Sequence, residues 1–189
     1  MAEVLLFHHA HGLTPGVAAF AERLAEAGHT VHVPDLFGGR VFVDLGAGLD
    51  YAQEVGFGTI AERGLEAAAD LPGDVVYAGF SLGVLPAQML AQSKPGAAGA
   101  LLFSACVPVT EFGEAWPASV PVQVHAMAED DLFVDDGDLE AARALVAGAA
   151  DGELFLYPGD RHLFADESLS SYDEVAAVLM MERVLAFLK

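Results

Sequence analysis

The stretch Val75-Val76-Tyr77-Ala78-Gly79-Phe80-Ser81-Leu82-Gly83-Val84-Leu85-Pro86-Ala87-Gln88-Met89-Leu90-Ala91 decides how the rest of the chain is read. Residues 75–80 read as a short buried strand and residues 84–91 as a helix. Between them stands Gly-x-Ser-x-Gly. A serine flanked by glycines on a strand-to-helix turn is the local context of a nucleophile elbow. Side chains beside the serine would collide with the strand or the helix, and Gly79 and Gly83 remove them. Ser81 would then stand at the carboxyl end of a strand, with the positive end of the next helix beneath it. The chain has 20 glycines, so the motif alone describes an ordinary strand–helix turn equally well. What lies at the other strand ends has to decide.

Outward from this turn, apolar runs and helical periodicities alternate. Glu3–Phe7 reads as an inner strand that opens into His8-His9-Ala10-His11-Gly12. Thr14 is placed to cap a helix with Pro15 in its first turn, and Val17, Phe20, Leu24 and Ala27 recur at helical spacing up to Gly28. Thr30–Val33 is a second strand, closed by Pro34-Asp35. Residues 36–50 carry several glycines and read as an irregular connection, followed by a helix from Tyr51 to Leu71 weakened at Gly56–Gly58. Further strands are expected at Gly99–Phe103, Val120–His125 and Glu153–Tyr157, with helices at Asp138–Ala149 and Ser171–Leu188. A loop bordering the site is expected from Ser104 to Pro117. Alternation throughout predicts a doubly wound, mostly parallel α/β sheet, compact and without a cap, as one domain over residues 1–189.

Composition narrows the function classes. Eight basic residues against 28 acidic ones leave a formal net charge of -20. Such a surface repels nucleic acid and anionic lipid, so neither is an expected partner. No apolar run approaches a membrane span, and the run at Val4–Phe7 is too short for a secretion signal. The single cysteine, Cys106, rules out an internal disulfide and suits a reducing, cytoplasmic compartment. Its place after an apolar run marks it as a buried small residue.

Four chemically interesting features fall on strand carboxyl ends, where functional groups gather in an open parallel sheet. They are the His8–Gly12 loop, Ser81, the acids Glu129-Asp130-Asp131 and His162. The order Ser, Asp, His is that of the α/β-hydrolase triad. A serine hydroxyl is a weak nucleophile and needs a base, here His162, whose ordinary pKa lies near neutrality. A carboxylate must then fix the imidazole tautomer and support the imidazolium. Asp130 is the expected acid, with Asp131 as the alternative. The backbone N–H of Leu82 and that of Ala10 or a neighbour are the expected donors to an oxyanion. His8, His9 and His11 lack metal-ligand spacing, because neighbours on an extended chain point opposite ways, so neither a metal nor a cofactor is expected. His9 and His11, with Phe37, Met127 and Leu163, are candidates for the pocket wall. His125 is expected as a buried, hydrogen-bonded neighbour of the acid loop, and His29 and His32 at the surface or a strand edge.

These segments resemble the dienelactone hydrolase family over nearly the whole chain. The resemblance rests on Gly12-Leu13, Val33–Gly39, Gly79–Gly83, His125–Asp130 with Val134, and most specifically on Tyr157-Pro158-Gly159-Asp160-Arg161-His162-Leu163-Phe164-Ala165. It implies an uncapped α/β-hydrolase fold that cleaves lactones or esters, with Ser81 matching the nucleophile, Asp130 the acid and His162 the base. The chain departs from the family in three places. Ser81 stands where typical members have cysteine. His9 stands near the family's thiol-activating glutamate. Asp166 stands where members that bind carboxylated dienelactone have arginine, and would repel that substrate. The resemblance therefore implies a small ester or lactone other than dienelactone as the partner, and the acidic surface suits a neutral or cationic one.

Two other functions use the same features. A non-catalytic binding module would keep the fold without needing the ordered Ser, Asp and His. Acyl transfer or amide cleavage would use the same acyl-enzyme, which sequence does not distinguish from hydrolysis.

Overall fold

The computed structural model describes residues 1–189. Six strands form one sheet: β1 (Glu3–Phe7), β2 (Thr30–His32), β3 (Val75–Phe80), β4 (Gly99–Phe103), β5 (Val122–Met127) and β6 (Gly152–Tyr157). Their spatial order is β2-β1-β3-β4-β5-β6, and every neighbouring pair is parallel. The order reverses at β1, which lies beside both β2 and β3, and the chain winds outward in both directions from there.

Strand alternation sorts the core into two layers. Val4, Leu6, Val76, Ala78, Leu101 and Phe103 face helices α1 (Pro15–Glu26) and α7 (Glu174–Phe187). Leu5, Phe7, Val75, Tyr77, Leu102 and Val124 face the opposite layer. That layer holds α2 (Leu45–Val55), α3 (Phe57–Ala67), α4 (Val84–Ser93) and α6 (Asp138–Gly148). Both faces of the sheet are therefore covered, which is why β3, β4 and β5 are buried along their full length. No helix is long and apolar enough to cross a membrane.

Helix ends follow their sequence signals in α1, where Thr14 Oγ1 accepts from the Val17 N–H at 3.2 Å and Pro15 opens the helix. The region 36–71 differs from the expected loop and single helix. Asp44 caps α2 by accepting from the Ala47 N–H at 2.9 Å, so helix begins at Leu45. Gly56, at φ +93°, breaks the helical run and α3 starts after it. Gly48 lets α2 lie backbone to backbone on the β1 loop, since a β-carbon there would overlap the Ala10 carbonyl. β5 continues two residues past His125 and starts at Val122, because Val120 and Pro121 precede its ladder with β4. α7 begins only at Glu174, where Asp173 accepts from the Ala176 N–H.

Candidate active site

The β3–α4 turn is a single tight helical turn, Ser81–Gly83, and Ser81 itself holds φ +47°. A β-carbon on Gly79 would overlap the Gly83 carbonyl, and one on Gly83 would stand 2.6 Å from the Phe7 carbonyl oxygen and 2.7 Å from that of His8. Both glycines are sterically required, one inside the turn and one against the end of β1. Non-glycine residues at positive φ are uncommon, and such strain collects at functional sites. Of the other two here, Ser104 (+58°) lines the same small cavity as Ser81, and Leu163 (+60°) follows His162 and lines the larger cavity beside it.

His162 lies beyond β6. Its Nε2 is 2.9 Å from Ser81 Oγ, and its Nδ1 is 2.7 Å from Asp130 Oδ2. An ionised carboxylate only accepts, so Nδ1 carries the ring proton and Nε2 is left as an acceptor for the serine hydroxyl. Asp130 is buried, and its Oδ1 accepts from the Leu132 N–H at 3.2 Å as the cap of the short helix α5 (Asp131–Val134). Asp131 is exposed and makes no bond to His162. Met127 supports the turn leading to His162 from below: the Arg161 N–H points at its sulfur at 3.2 Å, and Gly159 packs on it.

The loop after β1 abuts the elbow through the Phe7 and His8 carbonyls. Its three histidines turn to three different neighbours. His8 Nε2 accepts from the Leu36 N–H at 2.9 Å, His9 Nε2 meets Asp166 Oδ2 at 2.7 Å, and His11 Nδ1 donates to the Phe42 carbonyl at 2.8 Å. No group of three or more potential metal ligands forms anywhere in the chain. Burial lowers the pKa of His8 to about 4 and that of His9 below its ordinary value. The Ala10 N–H has no hydrogen-bond partner within the protein. Leu82 is second in its turn, where backbone N–H groups lack intrahelical acceptors.

The sequence profile of the dienelactone hydrolase family matches residues 1–189. The chain belongs to the dienelactone hydrolase family. Three solved structures illustrate the fold it shares. A candidate dienelactone hydrolase of Klebsiella pneumoniae is 21% identical, with a TM-score of 0.77, over 100% of this chain and 86% of that one. A dienelactone hydrolase-like promiscuous phosphotriesterase from metagenomic libraries is 20% identical, with a TM-score of 0.73, over 100% and 85%. Thermogutta terrifontis esterase 2, phosphorylated by paraoxon, is 16% identical, with a TM-score of 0.62, over 99% and 81%. No curated protein matches the sequence.

Two cavities of this family member meet at His162 and Leu45. The larger, about 670 Å³, lies between His11 and the 41–45 segment on one side and the Leu163–Ser171 loop on the other. The smaller, about 150 Å³, contains Ser81, Ser104, Ala105, Leu132, Asp136 and Asp138. Of the candidate wall residues, His11 and Leu163 face the larger cavity. Phe37 is instead buried edge-on against His8 and Tyr51, Met127 lies beneath the His162 turn, and His9 is turned inward to Asp166. His125 is buried, but its partners are Tyr157 Oη at 2.8 Å and Gln123 Oε1 at 3.2 Å rather than the acid loop. Ser104 and Ala105, at the start of the loop expected to border the site, line the smaller cavity, while Asp136 and Asp138 border it without any sequence motif to announce them.

Asp166 departs most from its expected role. It is buried, takes bonds from His9, Thr14 and Ser168, and faces neither cavity. The carboxylates that do face the cavities are Asp44, Asp136 and Asp138, and no lysine or arginine joins them. Burial raises the pKa of Asp138, with Asp136 and Asp130 adding to the effect, against the Cys106 N–H bond at 3.0 Å that lowers it.

Proposed function

We propose that this chain is a serine-dependent hydrolase of small carboxylic esters or lactones. The single observation that carries the reading is the unbroken line Asp130 Oδ2–His162 Nδ1 and His162 Nε2–Ser81 Oγ, at 2.7 and 2.9 Å, ending on a strained turn. In the proposed reaction Ser81 Oγ attacks the acyl carbon as its proton passes to His162 Nε2. The carbonyl electron pair collects on oxygen, where the Leu82 and Ala10 N–H groups would donate. Collapse expels the alkoxide, which takes the proton from His162. Water, deprotonated by His162, then releases the acid and restores Ser81. Asp130 holds the imidazole tautomer and balances the imidazolium charge. Every group in this scheme is a protein group, and the chemistry requires no cofactor.

The cavities also suggest a substrate class. The smaller one accommodates a compact group beside Ser81. The larger has Val41, Phe42, Val43, Leu163 and Leu169 along it and suits a bulkier apolar one. Three carboxylates without a basic residue favour neutral or cationic substrates over carboxylated ones. The lone buried Cys106 fits action in a reducing compartment such as the cytoplasm.

The test is turnover of a short-chain p-nitrophenyl ester and of a small lactone by wild type and S81A. We expect S81A to lose about 10⁴-fold or more in kcat, as removal of a triad nucleophile does elsewhere. Paraoxon, which phosphorylates the Thermogutta esterase, should label Ser81 in wild type only. Unlabelled, inactive but folded wild-type protein would favour a non-catalytic binding role.

A further inference from the structure

His9 and Asp166 are 157 residues apart in sequence and meet at 2.7 Å, both side chains buried. His9 immediately precedes Ala10, and Asp166 follows His162 by four residues. The two loops they belong to are those from which the proposed second oxyanion donor and the proposed base come. His9 Nδ1 accepts from the His11 N–H at 3.3 Å, so Nε2 carries the ring proton and donates to Asp166. Thr14 Oγ1 donates to the same carboxylate at 2.5 Å, and the Ser168 N–H and hydroxyl donate at 2.8 and 2.6 Å. Four donors from the β1 loop, the start of α1 and the 163–168 loop thus converge on one charge.

We infer that His9 and Asp166 are a positioning pair, which clamps the loop bearing Ala10 to the loop bearing His162 and so keeps oxyanion donor and base aligned over Ser81. This rests on the hydrolase reading. Neither residue hydrogen-bonds to Ser81 or His162, and neither lines the two cavities at the site, so the pair is placed to act through the loops it joins. Stability alone gives little reason for the pair, because apolar groups of similar volume commonly replace a buried charge without loss. Its geometry is directional instead. The His9 ring stands edge-on to His11, with centroids 5.3 Å apart, and to Phe80, the residue before Ser81, at 6.2 Å. The carboxylate leaves no room at Gly16, where a β-carbon would overlap Asp166 Oδ1. Burial would raise the Asp166 pKa, but the bonds from His9, Ser168 and Thr14 overcome this and hold it down to about 2. With His9 lowered by its own burial, the pair is one carboxylate and one neutral imidazole near neutral pH.

The experiment compares kcat and KM for a neutral p-nitrophenyl ester in wild type, H9L, H9Q, D166N, G16A and S81A. Oxyanion donors act mainly in the transition state, so H9L and D166N should lower kcat by about 10- to 100-fold and change KM by less than about threefold. H9Q keeps an N–H facing Asp166 and should recover kcat to within about fivefold of wild type. G16A introduces the better helix former, yet it should lower kcat about tenfold by displacing the Asp166 carboxylate. A kcat within about threefold of wild type in both H9L and D166N, even with a lowered melting temperature, overturns the inference. Should H9L fail to fold, D166N, which has the native shape, decides by the same criterion. Inactive wild type or active S81A refutes the hydrolase reading itself. Active wild type and inactive S81A alongside unimpaired H9L and D166N refute only the positioning pair.

Discussion

Gly83 packs against the end of β1 so closely that a β-carbon on it would stand 2.6 Å from the Phe7 carbonyl oxygen. The contact joins the Ser81 turn to the loop that carries His8, His9 and Ala10, with backbone meeting backbone. Gly83 is at φ -65°, an ordinary helical value, so its absence of a side chain serves space and not dihedral freedom. G83A should therefore destabilise the fold by about 1–3 kcal/mol through overpacking and move Ser81 relative to the β1 loop. G148A is the control, because nothing lies within 4 Å of a β-carbon there. Urea unfolding should show a lowered midpoint for G83A and an unchanged or raised one for G148A. Equal midpoints for G83A and wild type would contradict the packing argument.

Stability should depend on pH through groups buried in their neutral forms. Burial pushes His8 down to about 4 and His125 down to about 3. In the unfolded chain both titrate near 6.5, so below that value the unfolded state binds protons that the folded state refuses. Their contribution is complete above about pH 6.5 and is lost as pH falls toward 4 and then 3, at up to about 1.4 kcal/mol per pH unit for each histidine. Burial pushes Cys106 and Tyr77 up to about 12. The unfolded chain then loses those protons first, and stability declines as pH rises above about 9. Urea midpoints at constant ionic strength should form a plateau between these limits. The decline should begin well above the pH at which exposed carboxylates titrate. An unchanged midpoint from about pH 7 down to 5 would show that the buried histidines do not control the acid limb.

The strands were legible because each is a short apolar run between glycine, proline or acidic breakers. That neighbouring strands are parallel follows from the alternation with helices. Ser81, His162 and Asp130 stood out for a related reason: each lies in the turn or loop after a strand, a placement that does not depend on where the strand ends to the residue. The direction of side chains on loops was not legible. In the sequence His9 reads as pocket wall and Asp166 as facing a substrate, whereas their pairing depends on α1 lying against Asp166 with Gly16 at the contact. The α2 helix was hidden by Gly46 and Gly48. Those residues read as loop, yet Gly48 is there because the helix lies on the Ala10 carbonyl. Ser104 opens the loop expected to border the site, but nothing in the sequence marks its conformation. Its left-handed backbone and its place beside Ser81 arise only when β4 lies next to β3.

The carboxylates around the cavities should bias turnover by substrate charge. Asp136 and Asp44 are exposed, so each is screened and worth only about 0.5–1 kcal/mol at a distance of a few ångströms. Relative kcat/KM for a choline ester should exceed that of its uncharged 3,3-dimethylbutyl isostere, and a succinate half-ester should be the poorest. In D136N the cationic preference should fall by about two- to fivefold, and raising salt should produce a similar loss in wild type. An anionic ester turned over as well as the cationic one at low salt would refute the electrostatic reading of the cleft.

Asp130 and Asp131 are adjacent in sequence and should differ sharply in consequence. Asp130 is buried, with one oxygen 2.7 Å from His162 Nδ1 and the other 3.2 Å from the Leu132 N–H. D130N would keep the shape and present an amide to His162. If its N–H faced Nδ1, the imidazole would adopt the opposite tautomer, with Nε2 protonated toward Ser81 and unable to accept. The expected loss is about 10³- to 10⁴-fold in kcat, with KM little changed. The asparagine oxygen can still cap α5, so the fold should survive. Asp131 is exposed in the first turn of α5, and D131N should keep kcat within about twofold. Steady-state kinetics of both variants, with circular dichroism to establish folding, gives the comparison. Loss of activity in D131N with D130N unimpaired would assign the acid to the neighbour and require the α5 turn to rearrange during catalysis.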